Sequence, residues 1–553
     1  MVTRRSIRRL LPVICGVILL RIYVIRLRGD LEEDEDTGFH SWHEFTSSEI
    51  NPEREVVPGP TETPRSSKAT ERQDVDILLE RGKYPSHQNA VNQSEEDKGQ
   101  VNAFTSSDNE VLSNILDHSP LWMRITDDLY TYSGFWDSRP QLPEGSVARI
   151  LGIIRYRKEL MQPGLGFKVS AWVKDNVLNC SCHLWYTGTD VPSLGTLKAF
   201  VYEEGMKDYV GTFLLCYPLP IDMAKNVVDS GSTNFSSNNH QVKIPYAVSI
   251  VPNDSPNASY SMVYLQREVD PASVSENSSA VCVRPLFGPY NDLVGMAQFI
   301  SYYTSVLKIN YFYFYDLAVS DVVREFLVKV SALGVKIEML HWNVPTTDWE
   351  KLWDLGSLTA INDCVYRSAK KHAYVAVVDL DEFIVPKLKG LTLEDVYKKV
   401  IAHKMGEHGD AALIRNVFFC YEFEKTKSDA IDKDELPIFR YIHREDRIWP
   451  SKQRSKMIVV PGAVVALGHH MIHHFAKENL KNHGAPNTIA ILRHYRTCNE
   501  VNMGIHATGP RVLDQKPIKD ASMMKFKSSV MKSRVLQLYL QFLQNKVPSN
   551  MTV

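Results

Sequence analysis

Tyr374-Val375-Ala376-Val377-Val378-Asp379-Leu380-Asp381-Glu382-Phe383 decides how this chain is read. Small and β-branched apolar residues run without a break into two carboxylates spaced i, i+2. An unbroken apolar run of this length reads as a strand covered on both faces, as in a parallel sheet. Ligands of open α/β sheets bind beyond the carboxyl ends of such strands, where Asp379 and Asp381 fall. If the strand direction persists, the two carboxylates share one side of the chain and together suit a hard divalent cation. A cation held there clamps a diphosphate that neither carboxylate approaches alone. Asp379 and Asp381 are therefore the expected metal ligands. Glu382 is expected to anchor a neighbouring basic residue or to shape the turn.

Strands and helices alternate on the N-terminal side of this stretch. Residues 282–286 predict a strand and residues 293–306 a helix. Tyr311-Phe312-Tyr313-Phe314-Tyr315 predicts a second strand, and Ser320 is placed to cap a helix over 321–333 that ends at Gly334. Residues 335–340 predict a third strand, 349–371 a long helix, and the Tyr374 run a fourth strand. Such alternation means a parallel sheet with right-handed crossovers, a nucleotide-binding α/β layout. Further upstream, short apolar segments at 147–154, 169–173, 182–186, 197–202 and 246–250 are separated by turn-rich connections. They predict an antiparallel, sandwich-like module that carries no catalytic constellation of its own.

With 553 residues, 44% of them hydrophobic, the chain has room for two or three packed domains, and a net charge of −2 provides no field for nucleic acid. Charge is concentrated near the start. Arg4, Arg5, Arg8 and Arg9 precede the apolar run 10–25, which Arg21 interrupts, and acids follow from Asp30 to Asp36. A basic flank before an apolar run reads as a signal anchor with a cytosolic N-terminus. A cleaved signal peptide would want an A-x-A-like site, which does not follow; a mitochondrial presequence is the other alternative, since residues 1–29 are Arg-rich and free of acids. The polar, aromatic-poor segment after the anchor reads as a flexible stem. The expected organisation is a cytoplasmic tail (1–9), a transmembrane helix (10–27), a stem (28–126), a β-rich accessory module (127–280), the α/β domain (281–535) and a C-terminal tail (536–553).

Sequons at Asn92, Asn179, Asn234, Asn253, Asn257 and Asn277 are expected glycosylation sites, four of them crowded into one polar stretch. Cys15 lies in the anchor. The other cysteines, Cys180, Cys182, Cys216, Cys282, Cys364, Cys420 and Cys498, are odd in number and lack zinc-site spacing. In an oxidising lumen some of them form disulfides, with partners that spacing does not assign.

Residues 281 to about 500 resemble the glycosyltransferases of family 92, once a domain of unknown function in animals and plants. The resemblance is carried, in order, by Val281-Cys282-Val283-Arg284-Pro285-Leu286-Phe287-Gly288, Tyr311-Phe312-Tyr313-Phe314-Tyr315, Asn362-Asp363-Cys364-Val365-Tyr366-Arg367, Asp379-Leu380-Asp381-Glu382-Phe383, Arg454-Ser455-Lys456-Met457-Ile458-Val459 and His494-Tyr495-Arg496-Thr497-Cys498. It implies a GT-A nucleotide-sugar-binding domain with a mixed sheet, and an inverting transfer that uses Mn²⁺ (or Mg²⁺). The implied donor is a UDP-sugar, UDP-galactose in characterised members, and the implied acceptor a glycan such as a fucosylated N-glycan. The expected location is the Golgi membrane, single-pass type II, with the catalytic domain in the lumen. One departure stands out: Gly356-Ser357-Leu358 occupies the place where a Gln is expected before the Asn362-Asp363-Cys364 segment. It bears on substrate identity more than on the chemistry.

The resemblance also implies site roles. A third metal ligand is expected from the histidines at 469, 470, 473 and 474, and the family's Gly-x-His pattern selects His470. Arg454, Lys456 and Arg496 are cations set among apolar residues, suited to a departing nucleoside diphosphate; Arg adds a bidentate fork and Lys a point charge. Arg284 ends the first strand, where base and ribose dock. Asp363 completes the donor-binding set, although for Asp363 and Arg496 a structural ion pair is an equal alternative. The general base that inversion requires is not identified among Asp348, Glu445, Asp446 and Glu500. Two other classes stand beside the transferase: a catalytically inactive glycan-binding member of the same fold, and a D-x-D phosphatase. Against the phosphatase, Phe383 occupies the position where Thr or Val is wanted, and three strand–helix units precede the motif.

Overall fold

The computed structural model describes residues 120–139, 145–157, 171–174, 178–202, 207–219, 244–255, 261–266, 278–369, 371–424, 436–499 and 511–546. The expected cytoplasmic tail, anchor and most of the stem, Glu500 and the sequons at Asn92, Asn234, Asn257 and Asn277 lie outside the described residues. No described helix is long and apolar enough to cross a membrane. The chain divides into units 1–98 and 99–553, and every described residue belongs to the second.

Nine strands form the first sheet: β1 (Met123–Thr126), β2 (Leu129–Asp137), β3 (Val147–Arg155), β4 (Ala171–Trp172), β5 (Cys180–Trp185), β6 (Ser193–Val201), β7 (Tyr209–Pro218), β8 (Ala247–Pro252) and β9 (Met262–Gln266). The sequence predicts a sandwich, but this is one sheet that closes on itself. Its order is β1-β2-β3-β7-β6-β5-β8-β9, and β9 returns to pair with β2 through Gly134–Leu265 and Phe135–Gln266. Closure removes the open edges that an exposed sheet would leave. The interior is apolar, with Ile150, Leu184, Leu214 and Ile250 packed around the Cys182–Cys216 disulfide. β3 and β7 are buried on both faces, because their outer side chains pack against the α/β part. A strand covered on both faces loses the polar alternation that marks a half-exposed one.

The second sheet is built from β10 (Ser279–Cys282), β11 (Tyr311–Asp316), β12 (Lys336–His341) and β13 (Tyr374–Val377), with helices α1 (Leu293–Ser305), α2 (Asp321–Ser331) and α3 (Ser357–Ser368) in the connections. These strands run parallel in the order β12-β11-β10-β13. The chain thus starts in the middle, moves out one way, then returns to the other side of β10. The carboxyl ends of β10 and β13 flank the switch point where α/β sheets bind ligands. After β14 (Glu382–Pro386), helix α4 (Leu393–His403), β15 (Ala411–Ile414), β16 (Asn416–Cys420) and β17 (His443–Arg444), strand β18 (Lys456–Val459) joins antiparallel to β13. β15 pairs with β18, so the sheet is mixed. The β19–β20 hairpin (Val464–Leu467, Ile472–Phe475), β21 (Asn482–Gly484) and β22 (Ala490–Arg496) follow, with β14 and β16 flanking β22 in a third sheet.

Three local expectations change. The first strand stops at Cys282, and Val283 to Leu286 leave the ladder. The long helix over 349–371 is only α3, because Asp354, Leu355 and Gly356 all take left-handed backbone angles and interrupt it. The expected tail from 536 is, as far as Lys546, a helix, α5 (Arg534–Lys546), whose Leu536 and Phe542 are buried in the core. Ser320 precedes α2 as expected, but its side chain makes no capping hydrogen bond. Disulfides join Cys282 to Cys364 and Cys420 to Cys498, which leaves Cys180 as the free cysteine among the described residues.

Candidate active site between two parallel strands

β13 ends at Val377, and the chain then turns, so the strand does not continue through the two acids. The Glu382 N–H donates to the Asp379 carbonyl at 3.1 Å, and the Asp379 N–H donates to the Glu382 carboxylate at 2.9 Å. The turn sends the acids different ways: the Asp379 side chain is 10% exposed and that of Asp381 is 43% exposed. Asp379 faces the gap between the strands. Arg284, just past the end of β10, reaches it through Nε at 2.6 Å and a terminal nitrogen at 2.5 Å. Lys456, the first residue of β18, donates to Asp379 at 2.9 Å and lies 3.4 Å from Glu382. Glu382 therefore fills both of its expected roles. Burial raises the affinity of the Asp379 carboxyl for its proton, but Arg284 and Lys456 hold it well below the usual carboxylate range. Burial and the neighbouring Asp379 charge push Glu382 upward.

Asp381 meets His494, whose Nε2 is 3.0 Å from its carboxylate, while His494 Nδ1 lies 3.3 Å from Glu382. The two pairings follow from register, since Glu382 stands opposite His494 across β14 and β22. Burial opposes ionisation of Asp381, and His494 more than offsets it. Arg284 also donates to Asp354, so one guanidinium bridges two carboxylates. Three carboxylates (Asp354, Asp379 and Glu382) thus share two permanent cations, and a fourth, Asp381, pairs with His494. Asp354, Glu382 and His494 were not singled out by the sequence as site residues. Glu382 had a signal in its position beside the acids, and His494 opens one of the segments that carry the family resemblance; Asp354 depends on tertiary approach.

The turn of the β19–β20 hairpin brings His469 and His470 to the same site. His470 Nδ1 is 3.1 Å from the Ser455 carbonyl, which fixes the N–H on that nitrogen and leaves the Nε2 lone pair for a ligand. Burial and the Lys456 charge lower His470 to about 3, so it stands as a neutral imidazole. Burial and neighbouring His470 lower His469 to about 3 as well, and its Nε2 is buried without a hydrogen-bond partner. Both rings feel the Asp379 charge. Among the described residues, the one trio of His, Cys, Asp or Glu side chains with ligand atoms within 4.8 Å of one another is Cys420, Glu422 and Cys498, two of which form a disulfide. Asp379, Asp381 and His470 therefore stand around the gap without closing on one point. Their chemistry, two carboxylate groups and one imidazole with a fixed tautomer, suits a divalent ion of the Mn²⁺ or Mg²⁺ kind.

Beyond His494 lies an aromatic and basic nest. The Phe418 ring is 5.1 Å from His494, and Arg454 lies over both Phe418 and Trp449, at 5.4 and 4.6 Å from the ring centres. Burial, with Arg496 nearby, lowers the Arg454 guanidinium. Arg496 is exposed and donates to the Thr497 carbonyl. Under this nest Glu445 is fully buried. One of its oxygens accepts from the Phe418 N–H and the Trp449 indole, each at 2.8 Å, and the other has no partner. Burial raises this carboxyl to about 7. Among the other candidate bases, Asp348 holds the Glu350 N–H and lies near Lys351, and Asp446 is exposed.

Asp363 does not join this site. It lies on α3 at 0% exposure and accepts from Tyr315 at 2.6 Å, from Arg367 at 2.5 and 3.2 Å, and from Ser133 of β2. Those donors fill the carboxylate, and its place is the junction with the barrel. Of the expected glycosylation sites among the described residues, Asn179 and Asn253 are exposed and side by side, with Asn253 Nδ2 donating to Asn179 Oδ1 at 3.3 Å.

Residues 277–537 match the family model described as Glycosyltransferase family 92. No curated protein matches the chain. Among solved structures, residues 1–349 of S. aureus TarS superpose with a TM-score of 0.23 at 11% identity, covering 49% of this chain and 73% of that one. Glucosyl-3-phosphoglycerate synthase from Mycobacterium tuberculosis, in complex with Mg²⁺ and uridine diphosphate, gives 0.20 at 10% identity, over 39% of this chain and 71% of that one. Overlaps this loose transfer neither a ligand nor a residue role.

Proposed function

We propose, from the match of residues 277–537 to the glycosyltransferase family 92 model, a metal-dependent, inverting transfer of a hexose, galactose from UDP-galactose, onto a glycan acceptor such as a fucosylated N-glycan. The observation that carries this reading is the surplus of negative charge at the switch point: Asp354, Asp379 and Glu382 share two permanent cations, Arg284 and Lys456, with the Asp381 carboxylate beside them on His494, at the carboxyl ends of β10 and β13. Asp379, Asp381 and His470 would hold the divalent ion, Mn²⁺ or Mg²⁺, whose charge stabilises the departing diphosphate. The GT-A arrangement agrees with parallel strands followed by an antiparallel partner in one mixed sheet.

The chain's own groups account for the rest. Arg284 and Lys456 are held in place before any substrate arrives, so their charge is preorganised for phosphate oxygens. Arg454, pinned over Trp449 and Phe418, adds a third cation next to Lys456. Glu445 combines a raised pKa with an unpartnered oxygen, but it lies beneath this nest closed to solvent and so does not meet an acceptor hydroxyl directly. We place the protein in the Golgi membrane as a single-pass type II protein with this domain luminal; three disulfides and two exposed sequons support that compartment.

The test measures UDP release by the full chain from UDP-galactose, with Mn²⁺ and a panel of glycans. Acceptor-dependent release that chelator and Asp381→Asn both abolish is the expected result. Transfer unchanged in Asp381→Asn overturns the metal-site reading. Donor binding without release under any acceptor gives the chain to the inactive, glycan-binding alternative.

A further inference from the structure

Asp354, Leu355 and Gly356 form a run of left-handed residues, with φ of +47°, +54° and +74°. Only the last is a glycine. For an L side chain each such residue costs on the order of 1 kcal/mol, and a run survives only where the surroundings over-determine it. Three groups do so here. Trp342 Nε1 donates to the Leu355 carbonyl at 2.9 Å, the Ser357 hydroxyl donates to Asp354 at 2.7 Å, and Arg284 donates to the same Asp354 carboxylate. The Trp342 ring is itself fixed edge-on by Trp122 and Tyr132, with centres 5.2 and 4.7 Å away. The strain delivers a carboxylate, 12% exposed, to the back of Arg284.

Arg284 is divided between two acids. Its Nε and one terminal nitrogen face Asp379, and the other terminal nitrogen faces Asp354. A guanidinium edge that fits a carboxylate with two parallel bonds fits a phosphate in the same way. We propose that Asp354 is a positioning residue: it anchors Arg284 by one nitrogen, so that the opposite edge can exchange the Asp379 carboxylate for a phosphate oxygen pair of a nucleoside diphosphate. This inference rests on the metal-dependent transferase reading, in which Asp379 would serve a divalent cation and release Arg284. Without Asp354, Arg284 has Asp379 as its sole carboxylate partner and competes with the cation for it.

The experiment follows the melting temperature of the full chain during titration with Mn²⁺ alone and then with UDP at saturating Mn²⁺, since a ligand of the folded state raises it by mass action. In Asp354→Asn we expect half-saturation by Mn²⁺ to need at least five-fold more ion, and half-saturation by UDP at least ten-fold more UDP. Adding Arg284→Met to Asp354→Asn removes the competitor, so Mn²⁺ affinity returns toward the wild-type value while UDP affinity does not. A merely structural Asp354 would lower the melting temperature without this separation. Should Asp354→Asn fail to fold, Ser357→Ala keeps the charge, frees the carboxylate from its second donor, and is expected to weaken UDP two- to three-fold. A responsive wild type whose Asp354→Asn variant titrates within two-fold of it overturns the inference alone. A wild type indifferent to Mn²⁺ and UDP removes the transferase reading, and the inference with it.

Discussion

Two clusters of buried charge meet helix α3, one before its first turn and one at its middle, and they are built to opposite ends. At Asp363, a carboxylate receives donors from Ser133, Tyr315 and Arg367 and has no exposure to solvent. At Asp379, carboxylates outnumber cations, one acid is open to solvent, and a histidine nitrogen nearby lacks a partner. In sequence both look alike, an acid and a basic residue among apolar neighbours. The difference is in the accounts of charge and hydrogen bonds: a closed set holds two parts of the protein together, whereas an open one has capacity for a ligand.

The largest effect that would break this contrast is in turnover. Asp381→Asn is expected to lower sugar transfer by about 10³-fold or more while moving the melting temperature by no more than ~2 °C. Loss of the fold instead of the activity, seen by circular dichroism, would put Asp381 in the class of Asp363. The reverse is expected at the junction. Asp363→Ala strands Arg367 in the interior and costs about 3–5 kcal/mol, read as a lower denaturant midpoint; Ser133→Ala, which removes one donor, costs about 1 kcal/mol. An Asp363→Ala protein of wild-type stability would mean that the junction is not closed.

A smaller effect sharpens the comparison through pH. Glu445 is buried like Asp363, yet it keeps one oxygen without a donor, and its folded pKa is raised from 4.5 to about 7. The folded state therefore binds its proton more tightly than the unfolded chain does, and Glu445 costs stability progressively as pH rises from about 4.5 to about 7. Glu445→Gln is expected to remove that slope, melting several degrees above wild type at pH 7.5 and close to it at pH 5. Parallel melting curves across that range would refute the shift. The smallest effect belongs to Cys180: alkylation of the unfolded, unreduced protein should label it alone among residues 178–499, and Cys180→Ser should change the melting temperature by less than ~1 °C. A label on Cys282 or Cys364 would contradict the pairing described above.

The sequence revealed most where one local rule governs the outcome. The apolar runs at Tyr311 and Tyr374 are strands, and the turn-bounded segment at 321–331 is a helix, because burial on both faces and helical periodicity leave direct traces in residue order. Of the residues that the sequence expected at one site, Arg284 and Lys456 meet Asp379 directly, while Asp381 turns to His494 and His470 stands nearby. What stayed hidden depends on distant approach. Nothing in Trp353-Asp354-Leu355 announces two left-handed non-glycine residues, since their cost is met by Trp342 and Arg284 from elsewhere. Barrel closure was hidden for a similar reason, because β2 meets β9 across 125 or more residues of chain, and short strands give the same signal in a sandwich or a barrel. Asp363 shows the limit most plainly: its neighbours in sequence carry the family resemblance, while its partners in space include a serine from the barrel.

The packing of Trp342 has a practical outcome for anyone wishing to shorten this protein. Trp122 and Tyr132 cover that indole, Phe135 and Phe213 cover Tyr366, and Tyr202 donates to Thr359 at 3.0 Å. A fragment trimmed to the matched residues 277–537 would present all three to water and leave the left-handed turn at Asp354 without its lock. The smallest fragment that keeps this packing should therefore begin ahead of Trp122, with the barrel and the α/β sheet expressed as one folding unit.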